Sequence, residues 1–259
     1  MNISIKNPLK TECFTTIFQH IKLFSDHINV MFEKERMYLQ AMDGSRVSIF
    51  EVFIPSTWFD EYNHSNETNI CIGLSSTTLF KILNTHEKQQ SMNFIFDNNE
   101  SDKLYINYTC DNKNIFDKHF EIPLMDIDTD VMQIPLFESQ ADIVLPSSNF
   151  ASLINQLKLF GDTININCNE EKILLNSSTE ESGKMSVEIK IEDVDSYSIN
   201  EGQQLNLSYS LSYLHNICQY NKLAKDIEIK ITENYPIKIT YHLLDDAKVI
   251  YYLAPKIED

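Results

Sequence analysis

The 259-residue chain has only two arginines, Arg36 and Arg46, only five glycines, and no run of basic residues. Affinity for a nucleic-acid backbone comes largely from Lys and Arg neutralising phosphates. A formal net charge of −17 therefore excludes a protein that coats DNA with its whole surface. Either DNA is no ligand, or positive charge is confined to one small face. Scarce glycine leaves little material for phosphate-cradling loops, and neither GxSxG nor HExxH occurs. The reading is of a protein that is not an enzyme.

Metal and disulfide chemistry are equally thin. Cys13, Cys71, Cys110, Cys168 and Cys218 lie far apart with no CxxC pair, and the histidines do not cluster. An odd, scattered set argues against a disulfide framework and against a zinc ribbon, and reads as small buried hydrophobes in a reducing compartment. Asp126, Asp128 and Asp130 lack the glycine and closing Glu of a calcium loop. No metal and no cofactor are expected. No stretch approaches the roughly 20 apolar residues of a membrane helix. The N-terminus, MNISIKNPLKTECF, lacks an apolar block followed by small residues. A soluble intracellular protein is expected.

What the chain does have is a pattern that occurs twice. Phe14, Ile17, Phe18 and Ile21 follow the spacing of an amphipathic helix, and Phe150, Leu153, Ile154 and Leu157 repeat it 136 residues later. Burying one such side chain gains about 1.5–3 kcal/mol before entropy. Pro8 precedes the first helix and Pro146-Ser147-Ser148 the second, where serine can cap. A second pair is shorter: Ser75-Ser76 opens Leu79, Ile82 and Leu83, while Ser208 and Ser210 precede Leu211, Leu214 and Cys218. The offset between Leu79 and Leu211 is 132 residues, close to the first, and points to a duplicated unit.

Strands fill the intervals. Leu104, Ile106 and Tyr108 alternate with their neighbours, as do Met185, Val187, Ile189 and Ile191, then Ile227, Ile229 and Ile231, then Ile237, Ile239 and Tyr241. Asp43-Gly44 and Ser182-Gly183 mark turns, so that YLQAMDGSRVSIFEV reads against ILLNSSTEESGKMSVEI. The halves divide into residues 1–123 and 141–259, joined by an extended acidic connector over 124–140. Met132 and Ile134 look exposed there, which suits either packing on the protein's own surface or docking of a partner peptide.

The segments LQAMDGSRVSIFEV at 39–52, GLSSTTLFKIL at 73–83, LMDID with Ile134-Pro135, FASLINQLKLFGD at 150–162, and YYLAPKIED at 251–259 are similar to segments of the proliferating-cell-nuclear-antigen family of sliding clamps. They run in register from end to end without a large insertion. The resemblance implies an α+β clamp fold of two similar domains, each with antiparallel sheets outside and two helices inside. It implies a homotrimeric, head-to-tail ring that encircles double-stranded DNA and tethers a DNA polymerase. A clamp loader and PIP-box proteins such as nucleases and ligases would be further partners. By position, edge strands Lys118–Ile122 and Lys184–Lys190 would meet between subunits, through Lys118, Phe120, Ile122, Met185, Val187 and Ile189. Lys10, Lys22, Lys81, Lys158 and Lys222 would face DNA. Met42, Arg46, Val47, Met132, Ile134, Pro236, Tyr252, Ala254, Pro255 and Lys256 would form the partner-peptide pocket.

The sequence departs from the family where Thr15, Thr16, Asn84, Ser152, Asn155, Ser212 and Gln219 stand at positions commonly Lys or Arg. A less positive bore and weak sliding contact are expected. Met132 and Gln133 replace residues more often Leu and Gly. Two rival assemblies share the fold: one subunit of a heterotrimeric checkpoint-type clamp, or a non-encircling viral processivity factor. Abundant Asn, Ile and Lys with almost no Arg point to an AT-rich coding sequence. A nucleus, or the cytoplasmic replication site of a large DNA virus, is the expected location.

Overall fold

The computed structural model describes residues 1–64, 68–97, 102–128, 131–135 and 137–256. Asp130 and the last three residues of YYLAPKIED lie outside the described residues. The chain divides into two compact units. The first comprises Met1–Gly44, Glu51–Met132 and Leu243–Lys248; the second comprises Ser45–Phe50, Gln133–His242 and Val249–Asp259.

The first half runs β1 (Asn2–Ile5), α1 (Pro8–Ile21), β2 (His27–Phe32), β3 (Arg36–Met42), β4 (Ser48–Pro55), β5 (Glu61–Asn63), β6 (Ile70–Ser75), α2 (Ser76–Leu83), β7 (Ser91–Ile95), β8 (Lys103–Thr109) and β9 (Lys118–Pro123). The second repeats that order: β10 (Ala141–Pro146), α3 (Ser147–Leu157), β11 (Thr163–Cys168), β12 (Lys172–Thr179), β13 (Gly183–Lys190), β14 (Ser196–Ile199), β15 (Leu205–Ser210), α4 (Leu211–Ile217), β16 (Asp226–Ile231), β17 (Ile237–His242) and β18 (Lys248–Leu253). Even the 3-10 turn after β4, Ser56–Trp58, has its counterpart after β13 at Ile191–Asp193.

In unit one, β5-β1-β7-β8-β9 form an antiparallel sheet with β9 at one edge, and β4, β3, β2 and β6 lie side by side in a second sheet. The core lies between these sheets and the helix pair. Phe14 of α1 sits 4.8 Å from Phe18 and 5.3 Å from Phe94 of β7, ring centre to ring centre. In unit two, β14, β10, β16, β17 and β18 are neighbours, and β13-β12-β11-β15 form a separate four-stranded sheet with β13 at its edge. Helices α1 and α2 pack together, as do α3 and α4. This is the expected α+β architecture of two similar halves.

Several local expectations change. Pro8 is the first residue of α1, not a residue before it, and Asn7 is the cap, its side chain accepting from the Leu9 N–H at 2.9 Å. That suits proline, whose missing N–H has no partner in a helix's first turn anyway. Ser147 does not cap α3; its hydroxyl donates instead to the carbonyls of Asn221 and Ala224. Ser75 and Ser210 stand at the N-terminal ends of α2 and α4 with the same backbone angles, φ −75° and ψ 121°, but only the Ser75 side chain caps, accepting from the Thr78 N–H at 3.3 Å. The short helices are therefore offset by 135 residues, and Leu79 corresponds to Leu214 instead of Leu211.

The turn after β3 places Arg46, not Gly44, in the left-handed region, at φ 59°. The turn before β13 does use its glycine, Gly183 at φ 79°. Met185, Val187 and Ile189 are only half-buried, because β13 is an edge, and Ile191 has left the strand. Cys13, Cys168 and Cys218 are buried as expected, whereas Cys71 is exposed and Cys110 half-buried.

Candidate functional site

The pocket residues predicted from sequence fall into two groups, one in each unit. In unit one the connector is tied to strands. The Met125 N–H donates to the Gly73 carbonyl of β6 at 2.8 Å, and Asn29 of β2 donates to the Ile127 carbonyl at 3.0 Å. Further along, Gln40 of β3 grips Met132 twice: its amide oxygen accepts the Met132 N–H at 2.7 Å and its NH2 donates to the Met132 carbonyl at 3.0 Å. This two-point grip does for an isolated segment what a ladder does for a strand. Met132 is half-buried, not exposed, as is Ile134 in unit two, while Met125, at 41%, and Val131, at 48%, are open apolar side chains of the connector. Met42 is half-buried at the end of β3, two residues from Gln40 and so on the same strand face.

In unit two the end of the chain is fastened. The Ala254 N–H donates to the Val47 carbonyl at 3.0 Å, and the Lys256 N–H donates to the Ser208 carbonyl at 2.7 Å. The Lys256 ammonium reaches Thr163 Oγ1 at 2.6 Å. Pro255, between them, has no N–H to satisfy. Tyr252 is nearly buried, with the Lys238 ammonium 5.9 Å from its ring centre. Arg46 is exposed beside half-buried Val47, and Pro236 is half-buried. Sequence reasoning missed two participants near Pro236: Tyr235 stacks on Phe137 with ring centres 4.5 Å apart. Both are aromatics next to a polar residue and within two positions of a proline, a signal that was there to be read. Gln40 and Lys238 carried none.

The lysines expected to face DNA behave differently from one another. Lys10 does not offer a free cation: its ammonium pairs with Asp245 at 2.7 Å, donates to the Trp58 carbonyl at 2.6 Å, and its side chain is 14% exposed. Trp58 is fully buried, so Lys10 serves the fold there. Lys22, at the C-cap of α1, lies 3.9 Å over the Phe80 ring of α2. A cation over an aromatic face keeps its charge while losing some solvent. Lys81, Lys158 and Lys222 are exposed, and so is Lys225, which sequence reasoning passed over. Between α3 and α4, His215 Nδ1 meets Asn155 at 2.7 Å. Burial, with Lys158 nearby, holds His215 below its ordinary range, so it adds little charge near neutral pH. The two edge strands implicated in assembly are both edges here: Lys118, Phe120 and Ile122 lie on β9, and Met185, Val187 and Ile189 on β13. The Lys118 ammonium is occupied by the Thr85 carbonyl at 2.6 Å and Glu87 at 2.7 Å.

Two family models match the chain. One, described as the N-terminal domain of proliferating cell nuclear antigen, matches residues 9–133; the other, its C-terminal domain, matches residues 133–256. Among curated proteins the chain is similar to a proliferating cell nuclear antigen of Chaetomium thermophilum, 26% identical over 237 residues, which is 85% of each chain.

Proposed function

Because the chain belongs to the proliferating cell nuclear antigen family, whose members are sliding clamps, we propose that three copies close head to tail into a ring around duplex DNA. The observation that carries this is that β9 in unit one and β13 in unit two, at corresponding ends of their own sheets, each have one unpaired edge. A head-to-tail contact closes into a ring when its rotation permits. Joining the two edges satisfies backbone groups that otherwise invite aggregation.

In this reading the protein is not an enzyme. DNA is held by being encircled, so tight phosphate binding is unnecessary and would slow sliding. Lys22, Lys81, Lys158 and Lys222 make weak contact along the helix pairs, while the charge of −17 per copy keeps the exterior off DNA. Met42, Arg46, Val47, Met132, Ile134, Pro236, Tyr252, Ala254, Pro255 and Lys256 receive a partner peptide. Methionine repacks at low cost, which suits several partners, and the fastened connector and tail supply backbone groups for strand addition. The partners are a DNA polymerase, a clamp loader, and PIP-box proteins such as nucleases and ligases, in a nucleus or at a viral replication site.

Light scattering across dilution and at two salt concentrations tests the assembly. A stable species near three times 30.1 kDa supports the closed homotrimer. A chain that stays monomeric at high concentration sinks it and leaves a hetero-clamp or a non-encircling factor.

A further inference from the structure

Phe116 is the most exposed large apolar side chain among the described residues, at 79%. Its exposure is not that of a loose loop. The buried Gln90 side chain donates to the Phe116 carbonyl at 2.8 Å. Asp117 accepts the Cys110 N–H at 3.1 Å, and Lys118 is held by Thr85 and Glu87. The backbone is fixed while the ring stands in water, two residues ahead of edge strand β9. A rigid, presented aromatic is the usual form of an interface anchor.

Unit two carries an open groove of about 350 Å³ between α3 and β13, with an apolar floor of Leu145, Pro146, Leu153, Val187, Ile189 and Val194 and a polar rim of Asn149, Ser152, Glu188 and Asp193. Leu153, Val187, Ile189 and Val194 are half-buried, so apolar surface is left open on the groove floor. It opens beside the other free edge, towards the C-terminal end of β13.

The edges match each other. On β9, Lys118, Phe120 and Ile122 share one face, and His119 and Glu121, with Asp117 just before the strand, alternate with them; on β13, Met185, Val187 and Ile189 alternate with Lys184, Ser186, Glu188 and Lys190. Set antiparallel with Phe120 opposite Val187, the apolar rows share a face and Ile122 meets Met185. Asp117 then faces Lys190, and His119 faces Glu188. A parallel arrangement about the same pair would set Glu121 against Glu188, and like charges directly opposite are destabilising. Antiparallel pairing also carries Phe116 past Lys190, to the Ile189–Val194 end where the groove lies.

We propose that Phe116 of one copy fills the groove between α3 and β13 of the next copy and anchors the head-to-tail contact. The inference rests on the ring reading above and adds the residue on which closure depends. The ring of Phe116 touches solvent in the single chain, so replacing it leaves the fold intact and weakens only the contact.

The test compares the unaltered protein with Phe116→Asp by sedimentation across dilution, alongside their melting temperatures. The expected result is an unchanged melting temperature for the isolated chain and a dissociation constant raised at least tenfold. The second measurement is a cysteine pair, Phe116→Cys with Val194→Cys, oxidised and run without reductant. Intermolecular ladders should appear in the double variant and not in either single variant, which controls for Cys71 and Cys110. If the unaltered protein is a trimer, Phe116→Asp assembles as tightly, and no ladder forms, the anchor is wrong while the ring stands. An unaltered protein that is monomeric throughout overturns both.

Discussion

Arg46 spends its place in the chain at φ 59°, where L side chains are strained by about 1–2 kcal/mol. Its turn has a glycine two residues earlier, and a Cβ on Gly44 would meet nothing within 4 Å. The dipeptide Asp43-Gly44 announces a turn correctly, yet which residue takes the left-handed angle depends on the whole five-residue path into β4. Strain held at an exposed arginine among candidate pocket residues is what a binding site keeps at the expense of stability. Arg46→Gly should relieve the strain, less about 0.4–1 kcal/mol of added chain entropy. A small rise in melting temperature with weaker capture of a PIP-box peptide is expected. A fall in melting temperature would mean that the side chain supports the fold instead. His20 offers a test by pH. Burial on α1, with Lys22 nearby, lowers it from 6.5 to about 4. The folded chain therefore refuses a proton that the unfolded chain accepts, and stability falls as pH drops from 6.5 towards 4. His20→Gln should flatten that acid limb in a melting series, and an unchanged limb would assign the loss to the carboxylates.

At the scale of elements, most of the frame was legible because helix and strand periods are local. The repeat is visible down to IKLFSD at 21–26 and LKLFGD at 157–162, where Lys22 and Lys158 cap α1 and α3 with nearly the same angles, φ −61° and −62°. What remained illegible depends on partners far away in sequence. Lys10 has the position of a lining lysine, but Asp245 and the Trp58 carbonyl claim it. Met132 looked like an exposed apolar residue until Gln40, 92 residues away, was seen to grip it. Gly73 shows the same limit. Nothing local marks it, yet an added Cβ would overlap the Met125 carbonyl and press on Asn29 and Ile127. Backbone cannot yield there as a flexible side chain would. Gly73→Ala should release the start of the connector while leaving the β2–β6 pairing, so proteolysis near residues 124–128 should quicken ahead of global unfolding. Cleavage no faster than in the unaltered protein would show that the connector is held chiefly from Gln40.

For the whole molecule the deciding quantity is charge. In the proposed ring, three copies at −17 each would have to approach one another, and the Debye length sets how far that repulsion reaches: about 30 Å at 0.01 M salt and about 8 Å at 0.15 M. Against it stand a few exposed ion pairs at the edges, of the order of 0.2–1 kcal/mol each and themselves weakened by salt. The apolar contribution of Phe116 and the half-buried row of β13 varies little over this range. Repulsion among many charges outweighs a few surface pairs, so assembly should tighten as salt rises from 0.01 M to 0.15 M. Sedimentation at fixed protein concentration across that range reads the sign directly. Loosening with added salt would mean that opposite charges facing across β9 and β13 hold the copies together. The complementary rows would then count for more than the aromatic anchor. Tightening would mean that an acidic exterior, suited to staying off free DNA, exacts a cost in assembly that apolar burial at the edges overcomes.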